Sequence, residues 1–237
     1  MKIKTLALVP FLTLALAVAA SAGTVTITFL GVGGGHTSSA YTTSPEYYYP
    51  YSISVNGGGA ITVACDDFND VASSQPWSGT INTFTNVGNV IGITGGLFAS
   101  QTNAVTKYQE AAWLFTQFQP GPATNEVNAA INYAIWDLFN NGNPVLNGMG
   151  ANDNTDNTAS QYWLDQAAAN YSTLTWQQLS HTYIYTPDIN PLTGSAYSQE
   201  FIGSDVPEPA SLALLGTGLL GLAFLFKRRL RESSLDS

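Results

Sequence analysis

The chain is poor in the residues that carry most protein chemistry. Its 237 residues include one cysteine, Cys65, and two histidines, His36 and His181. A single cysteine excludes an internal disulfide framework, so Cys65 is a buried small hydrophobe, an intermolecular link or a reactive group. No His-x-x-x-His or Cys-x-x-Cys spacing offers a metal site, and no Gly-x-Ser-x-Gly elbow offers a nucleophile. Cations are scarcer still. Between residues 23 and 205, Lys107 stands alone against thirteen Asp and Glu, a net charge of −12. A surface of that sign repels phosphates and anionic lipid, which excludes nucleic acid as a partner. It suits a soluble exported domain that meets cations or neutral glycans.

The remaining cations sit at the two ends. Lys2 and Lys4 precede an apolar run, Thr5 to Val18, and the small-residue site Ala20-Ser21-Ala22. This pattern predicts a secretory signal peptide over residues 1–22, with export through the Sec route. Near the other end, Val206-Pro207-Glu208-Pro209 is followed by an uncharged, mostly apolar run, Ala210 to Phe226. As a helix rising 1.5 Å per residue, that run spans about 26 Å, close to the roughly 30 Å hydrocarbon core of a bilayer. Gly216, Gly218 and Gly221 suit a membrane helix better than a soluble one. The cluster Lys227, Arg228, Arg229 and Arg231 then fixes the cytoplasmic side.

Box, apolar span and basic end, in that order over residues 206–231, resemble the PEP-CTERM sorting signal of Gram-negative bacteria. The resemblance implies an exosortase as partner, a membrane-embedded, transpeptidase-like cysteine enzyme that cleaves near the box. It also implies residence in the inner membrane followed by surface display or secretion. It implies nothing direct about residues 23–205, which are numerous enough for a single domain with its own core.

Within that domain, alternation predicts strands at Thr24–Leu30, Ser52–Val55, Ala60–Cys65, Thr80–Phe84 and Val90–Ile93. Asn56-Gly57-Gly58-Gly59 reads as a hairpin turn. Apolar residues at helical spacing predict helices over 104–118, capped by Asn103, and over 124–140, 160–171 and 174–179. Strands over 181–186 and 196–202 close the domain. Strands, then helices, then strands point to an α+β domain, a β-sandwich or barrel with inserted helices, followed by one C-terminal transmembrane helix.

The candidate sites are few. The segment Val63-Ala64-Cys65-Asp66-Asp67-Phe68, then Ala111-Ala112-Trp113-Leu114 and Ala134-Ile135-Trp136, resembles the thioester domains of bacterial surface adhesins. In that family a Cys thiolate attacks a Gln carboxamide and expels ammonia. The matching position here is Asn132, one methylene shorter. Asp66 and Asp67 would raise the Cys65 thiol pKa. Asn132 lies off the Val127/Ile131/Leu138 face and beside Trp136, which predicts a second packed surface on that helix.

Gly31-Val32-Gly33-Gly34-Gly35-His36 lacks the sixth glycine of a dinucleotide loop and reads as a flexible turn. Asp153 and Asp156, in Asn152-Asp153-Asn154-Thr155-Asp156-Asn157, are weak calcium candidates without the turn glycine and terminal Glu of an EF-hand loop. Asp66, Asp67 and Asp70 form a second acidic cluster, read as a solvated loop. Trp77, Trp163, Trp176 and Tyr47 to Tyr49 could stack on sugars if exposed.

These features predict a non-enzymatic surface or extracellular-matrix protein, structural or adhesive, with no cofactor and with matrix polysaccharide as a partner. Covalent adhesion through Cys65 and Asn132 is the alternative, and a secreted hydrolase, for which no motif exists, comes third.

Overall fold

The structure, a computed structural model, describes residues 24–32, 37–38, 46–47, 50–68, 72–120, 125–140, 155–189 and 196–204. In chain order the elements are β1 (Val25–Val32), β2 (Thr37–Ser38), β3 (Glu46–Tyr47), β4 (Tyr51–Val55), β5 (Ile61–Cys65), β6 (Trp77–Val87) and β7 (Val90–Ile93). Then come α1 (Ala104–Phe115), α2 (Asn125–Phe139), α3 (Ser160–Asn170), α4 (Trp176–Ser180), β8 (Tyr183–Pro187) and β9 (Phe201–Gly203). The signal peptide, the sorting tail with its expected transmembrane helix, His36, Asp70 and Asp153 lie outside the described residues. Among the described residues no helix is long and apolar enough to cross a membrane.

Of the two expected all-β forms, the barrel is the one present. The strands run β1-β4-β5-β9-β8-β6, and β6 returns to β1 through Val25↔Gly79 and Ile27↔Trp77, closing six antiparallel strands. Closure leaves no free edge among the six. β7 adds to β6 as a hairpin arm, turning at Gly88 and Asn89, which both take positive φ. The expected turn between β4 and β5 is present: Asn56 and Gly57 are left-handed and the Gly58 N–H donates to the Val55 carbonyl. The Asn56 side chain also accepts the Thr26 N–H at 2.9 Å, tying that turn to β1.

Inside the barrel Ile27, Ile53, Val63, Tyr185 and Phe201 are fully buried, and on the opposite face of the same strands so are Ala64, Ile184 and Ile202. Phe201 is the centre of an aromatic group with Phe29, Tyr51 and Trp77, at ring separations of 5.8 to 6.4 Å. Gly79 lets β6 pass close to β8: a Cβ there would meet the Thr186 carbonyl oxygen at 2.5 Å.

The helices are one insertion between β7 and β8, packed over the end of the barrel where β5 finishes and β9 starts. α2 is buried from Asn128 through Trp136, so it is enclosed on every side and has no wet face. Alanines let its neighbours approach: Ala129, Ala130 and Ala134 on α2, Ala111 and Ala112 on α1, and Ala167 on α3 are all buried. The Asn128 amide brackets the end of the α1 segment, donating to the Gln119 carbonyl and accepting the Gln119 N–H.

The local expectations need four corrections. Asn103 does not cap α1 with its side chain; it is left-handed (φ 59°) and contributes its carbonyl to Lys107 N–H instead. α1 ends at Phe115, not 118, with Thr116 taking up the last turn through a hydroxyl bond to the Trp113 carbonyl. β6 is far longer than Thr80–Phe84, because pairing with β1 at one end and β7 at the other extends it. The closing strand 196–202 shrinks to Phe201–Gly203, since Ala196 pairs with Ile189 in an isolated bridge outside the barrel.

The central role of Phe201 predicts that Phe201→Ala costs about 3–5 kcal/mol of stability, the range for emptying a core aromatic site. Urea unfolding of the two proteins measures it. A loss below about 1 kcal/mol would show that the ring is not part of the barrel's packing.

Candidate functional site

β5 and β9 pair with Cys65 opposite Phe201, so the residues just beyond the pair, Asp66 and Glu200, meet at the barrel end. The Asp66 N–H donates to the Glu200 carbonyl at 3.3 Å. Both side chains are fully buried, as is Asp67 next to them. The expectation of a solvated acidic loop at Asp66 and Asp67 is therefore wrong. Strand pairing carries them under α1 and α2, an effect no local composition reveals.

Glu200 is well supplied with donors. The Tyr108 hydroxyl of α1 reaches Oε1 at 2.5 Å and the Leu97 N–H reaches Oε2 at 2.6 Å. The Thr186 hydroxyl of β8 also bonds to it. That hydroxyl accepts from Asn82 Nδ2 at 2.9 Å, and Asn82 Oδ1 accepts from the Thr94 hydroxyl at 3.2 Å. A polar chain thus runs from the β6–β7 arm along one face of the barrel wall to Glu200. Tyr108 in turn accepts the Phe98 N–H at 3.1 Å. Gly96 makes room for it, since a Cβ there would collide with the Tyr108 hydroxyl.

Asp66 has no such supply: neither of its oxygens accepts a hydrogen bond from any described donor. Burial, then the charges of Glu200 and Asp67, push its pKa well above the aspartate range. Burial also raises Glu200, but the bonds from Thr186, Tyr108 and Leu97 favour its ionised form. Of the two neighbouring carboxyls, burial and like charge therefore push Asp66 toward its neutral acid form, while the donors around Glu200 favour its carboxylate.

Cys65 sits against this pair and is fully buried. Burial raises its thiol pKa first, and the charges of Asp66 and Asp67 raise it further. The protonated Sγ donates to the Asp67 carbonyl at 3.0 Å. Asn132 of α2, also fully buried, donates its Nδ2 to the Cys65 carbonyl at 3.1 Å. The structure thus brings together two residues 67 positions apart that the sequence singles out. It joins them through the backbone of Cys65, while the thiol's own hydrogen bond goes to Asp67. The second packed face expected for Asn132 is present, with Trp136 4.9 Å from Tyr133 and 5.1 Å from Phe68 in ring separation.

The other candidates separate from this centre. Asp156 is exposed and its carboxylate accepts the Thr158 N–H at 2.9 Å, forming a turn that leads into α3. Among the described residues no group of three His, Cys, Asp or Glu side chains is arranged to hold a metal ion. Gly31 takes φ 130° at an irregularity in β1, and the next described element is the strand β2, so no helix follows to complete a dinucleotide loop. Trp77 and Trp163 are buried, whereas Trp176 is 42% exposed. Lys107 bonds Gln101 Oε1 at 2.8 Å, with Glu110 and Asp137 as its charge neighbours.

Sequence reasoning missed Glu200 and Tyr108. The available signal was an acid directly preceding a strand expected to lie in the core, and a tyrosine on the buried face of α1.

The raised pKa of buried Asp66 sets a direction for the pH dependence. Below the ordinary aspartate pKa of about 3.9, Asp66 is protonated both folded and unfolded. Above it the unfolded chain releases a proton that the folded chain keeps, so this pair makes stability fall as pH rises. The slope reaches about 1.4 kcal/mol per pH unit for one proton, until the folded acid itself ionises. Asp66→Asn keeps a neutral donor beside Glu200 and removes that proton. It is expected to flatten the fall and to match or exceed the parent's stability at neutral pH. Urea unfolding across a pH series checks it, and an unchanged slope in the variant would rule out a protonated Asp66 in the folded chain.

No curated protein and no solved structure matches this chain. A family model does match, over residues 205–229, which hold the box Val206–Pro209, the apolar run and the cations Lys227, Arg228 and Arg229; Arg231 lies just beyond. Nothing in these comparisons supports the likeness to thioester domains. The chain carries the PEP-CTERM protein-sorting motif at residues 205–229.

Proposed function

We propose that this protein is exported, held in the inner membrane through Ala210–Phe226, and processed by an exosortase near Val206–Pro209. It is then placed at the cell surface or in the extracellular matrix, where its barrel-and-helix domain has a structural or adhesive, non-enzymatic role. The observation that carries this reading is the sorting motif, which begins at residue 205 while β9 ends at Gly203. Cleavage near the box would release the domain with every barrel strand intact. A closed barrel with few cations, whose most perturbed carboxyls are sealed from solvent, supports a scaffold or binding role over hydrolysis. Matrix polysaccharide is the partner class that best suits an anionic surface.

Deleting Val206–Pro209 is expected to leave the protein in the inner-membrane fraction. Fractionation and surface labelling of cells expressing the full chain and the deletion measure this. Unchanged display or release in the deletion would argue against exosortase handling.

The bond from Asn132 Nδ2 to the Cys65 backbone carbonyl places the carboxamide beside the cysteine and supports a second reading, covalent adhesion through a bond from Sγ to the Asn132 carboxamide carbon with loss of ammonia. Formation of that bond would lower the intact mass by one ammonia and abolish alkylation of Cys65 in denaturant. A full mass with a freely alkylated thiol, absent in Cys65→Ala, would eliminate it.

A further inference from the structure

The end of the barrel that holds the acid pair also carries an open cleft of about 740 Å³. Its walls come from the start of β6 and the run into it, with Gln75, Trp77 and Ser78, from Asp188 and Ile189 just after β8, and from Tyr197 ahead of β9. Backbone bonds hold these walls in place. The Asp188 N–H donates to the Ser78 carbonyl at 3.0 Å, and the Tyr197 N–H donates to the Asp188 carbonyl at 3.2 Å. The Ser73 N–H donates to the Ser198 hydroxyl at 3.0 Å, joining the two stretches. A cleft preformed in this way loses little ordering entropy when it binds.

Its side chains, by contrast, are uncommitted. Tyr197 is 49% exposed and Ile189 47% exposed, both large apolar surfaces left in water. Trp77 lies beneath with its ring buried, and its indole N–H has no acceptor among the described residues. Gln75 and Ser78 are exposed, with amide and hydroxyl groups that can bond in either direction. The lining carries one charge, the Asp188 carboxylate, and no cation.

The chemistry of this set narrows the ligand. A carboxylate without a cation, in a domain of net negative charge, rejects anionic ligands. An aromatic ring beside amide, hydroxyl and carboxylate acceptors fits a molecule with an apolar face and a rim of hydroxyls. We propose that this cleft binds a neutral polysaccharide, with the Tyr197 ring stacked on a sugar face and Gln75 and Asp188 bonding its hydroxyls. This rests on the surface or matrix role proposed above and names the site through which the domain would hold a matrix glycan.

The test is native gel electrophoresis of the full chain, purified in a polyoxyethylene detergent without sugar headgroups. The gels contain β-glucan, xylan or dextran, with alginate as the polyanion and casein as the peptide source. Retardation by at least one neutral polysaccharide and none by alginate is expected. Tyr197→Ala and Gln75→Ala, both at exposed positions, should each weaken it by about tenfold or more. Circular dichroism of the variants confirms that they are folded. No retardation by any neutral polysaccharide, equal retardation of Tyr197→Ala, or retardation by casein alone would overturn the proposal. Surface labelling of cells expressing Tyr197→Ala separates the two readings. Normal display without glycan binding would discard the cleft and leave the surface role standing, whereas absence of the parent chain from surface and matrix would discard the role itself.

Discussion

A fully buried carboxyl, Glu200, supplied with donors from distant parts of the chain, is the constraint around which this domain is arranged. A buried carboxylate without donors would cost several kcal/mol. Glu200 escapes that cost because three separate parts of the chain deliver a donor to it: the loop at Leu97, α1 at Tyr108 and β8 at Thr186. Each donor fixes the position of its own element. The barrel end, the β7–α1 loop and the helical layer are therefore held in mutual register by one side chain. Gly96 serves the same arrangement from outside, since the Tyr108 hydroxyl occupies the space its Cβ would take.

The rigidity of this end bears on everything attached to it. β9 starts at Glu200's neighbour, Phe201, passes between β5 and β8, and leaves the barrel at Gly203, just before the sorting motif. The segment read by the sorting machinery is thus tethered to a strand paired on both sides, not to a loosely held terminus. The open cleft starts from the same end, walled by the beginning of β6, by Asp188 and Ile189 after β8 and by Tyr197 ahead of β9. The same centre bears on Cys65: burial and the two neighbouring aspartates raise its thiol pKa, and its Sγ donates to the Asp67 carbonyl.

Much of the secondary structure was legible because its causes are local. The alternation of Ser52–Val55 and Ala60–Cys65 around Asn56-Gly57 announces a hairpin, and the apolar spacing of α1, α2 and α3 announces helices. The errors fall where tertiary pairing overrides local pattern. β6 gains length from partners at both ends, and β9 keeps three residues because the chain before it pairs elsewhere. Asn103 has the composition of a cap, but its left-handed backbone gives the helix a carbonyl in place of a side chain. Of the candidate site, Cys65 and Asn132 were visible as residue types at suggestive positions. Glu200 was one of thirteen acids with nothing local to set it apart, because two of its partners, Tyr108 and Leu97, are 92 and 103 positions away.

The sequence alone determined the address of this protein. A sorting motif is read as a linear run of box, apolar span and cations, so its physics is complete in the order of residues. Charge balance is likewise a property of composition and needs no structure to be read. What only the tertiary structure decided is the chemistry of the domain in front. Closing six strands brings Asp66 against Glu200, and packing α2 on that end sets Asn132 on Cys65. Whether a carboxyl is a solvated charge or a buried acid depends on which distant donors reach it. That is a question of three-dimensional proximity, and no window along the chain contains the answer.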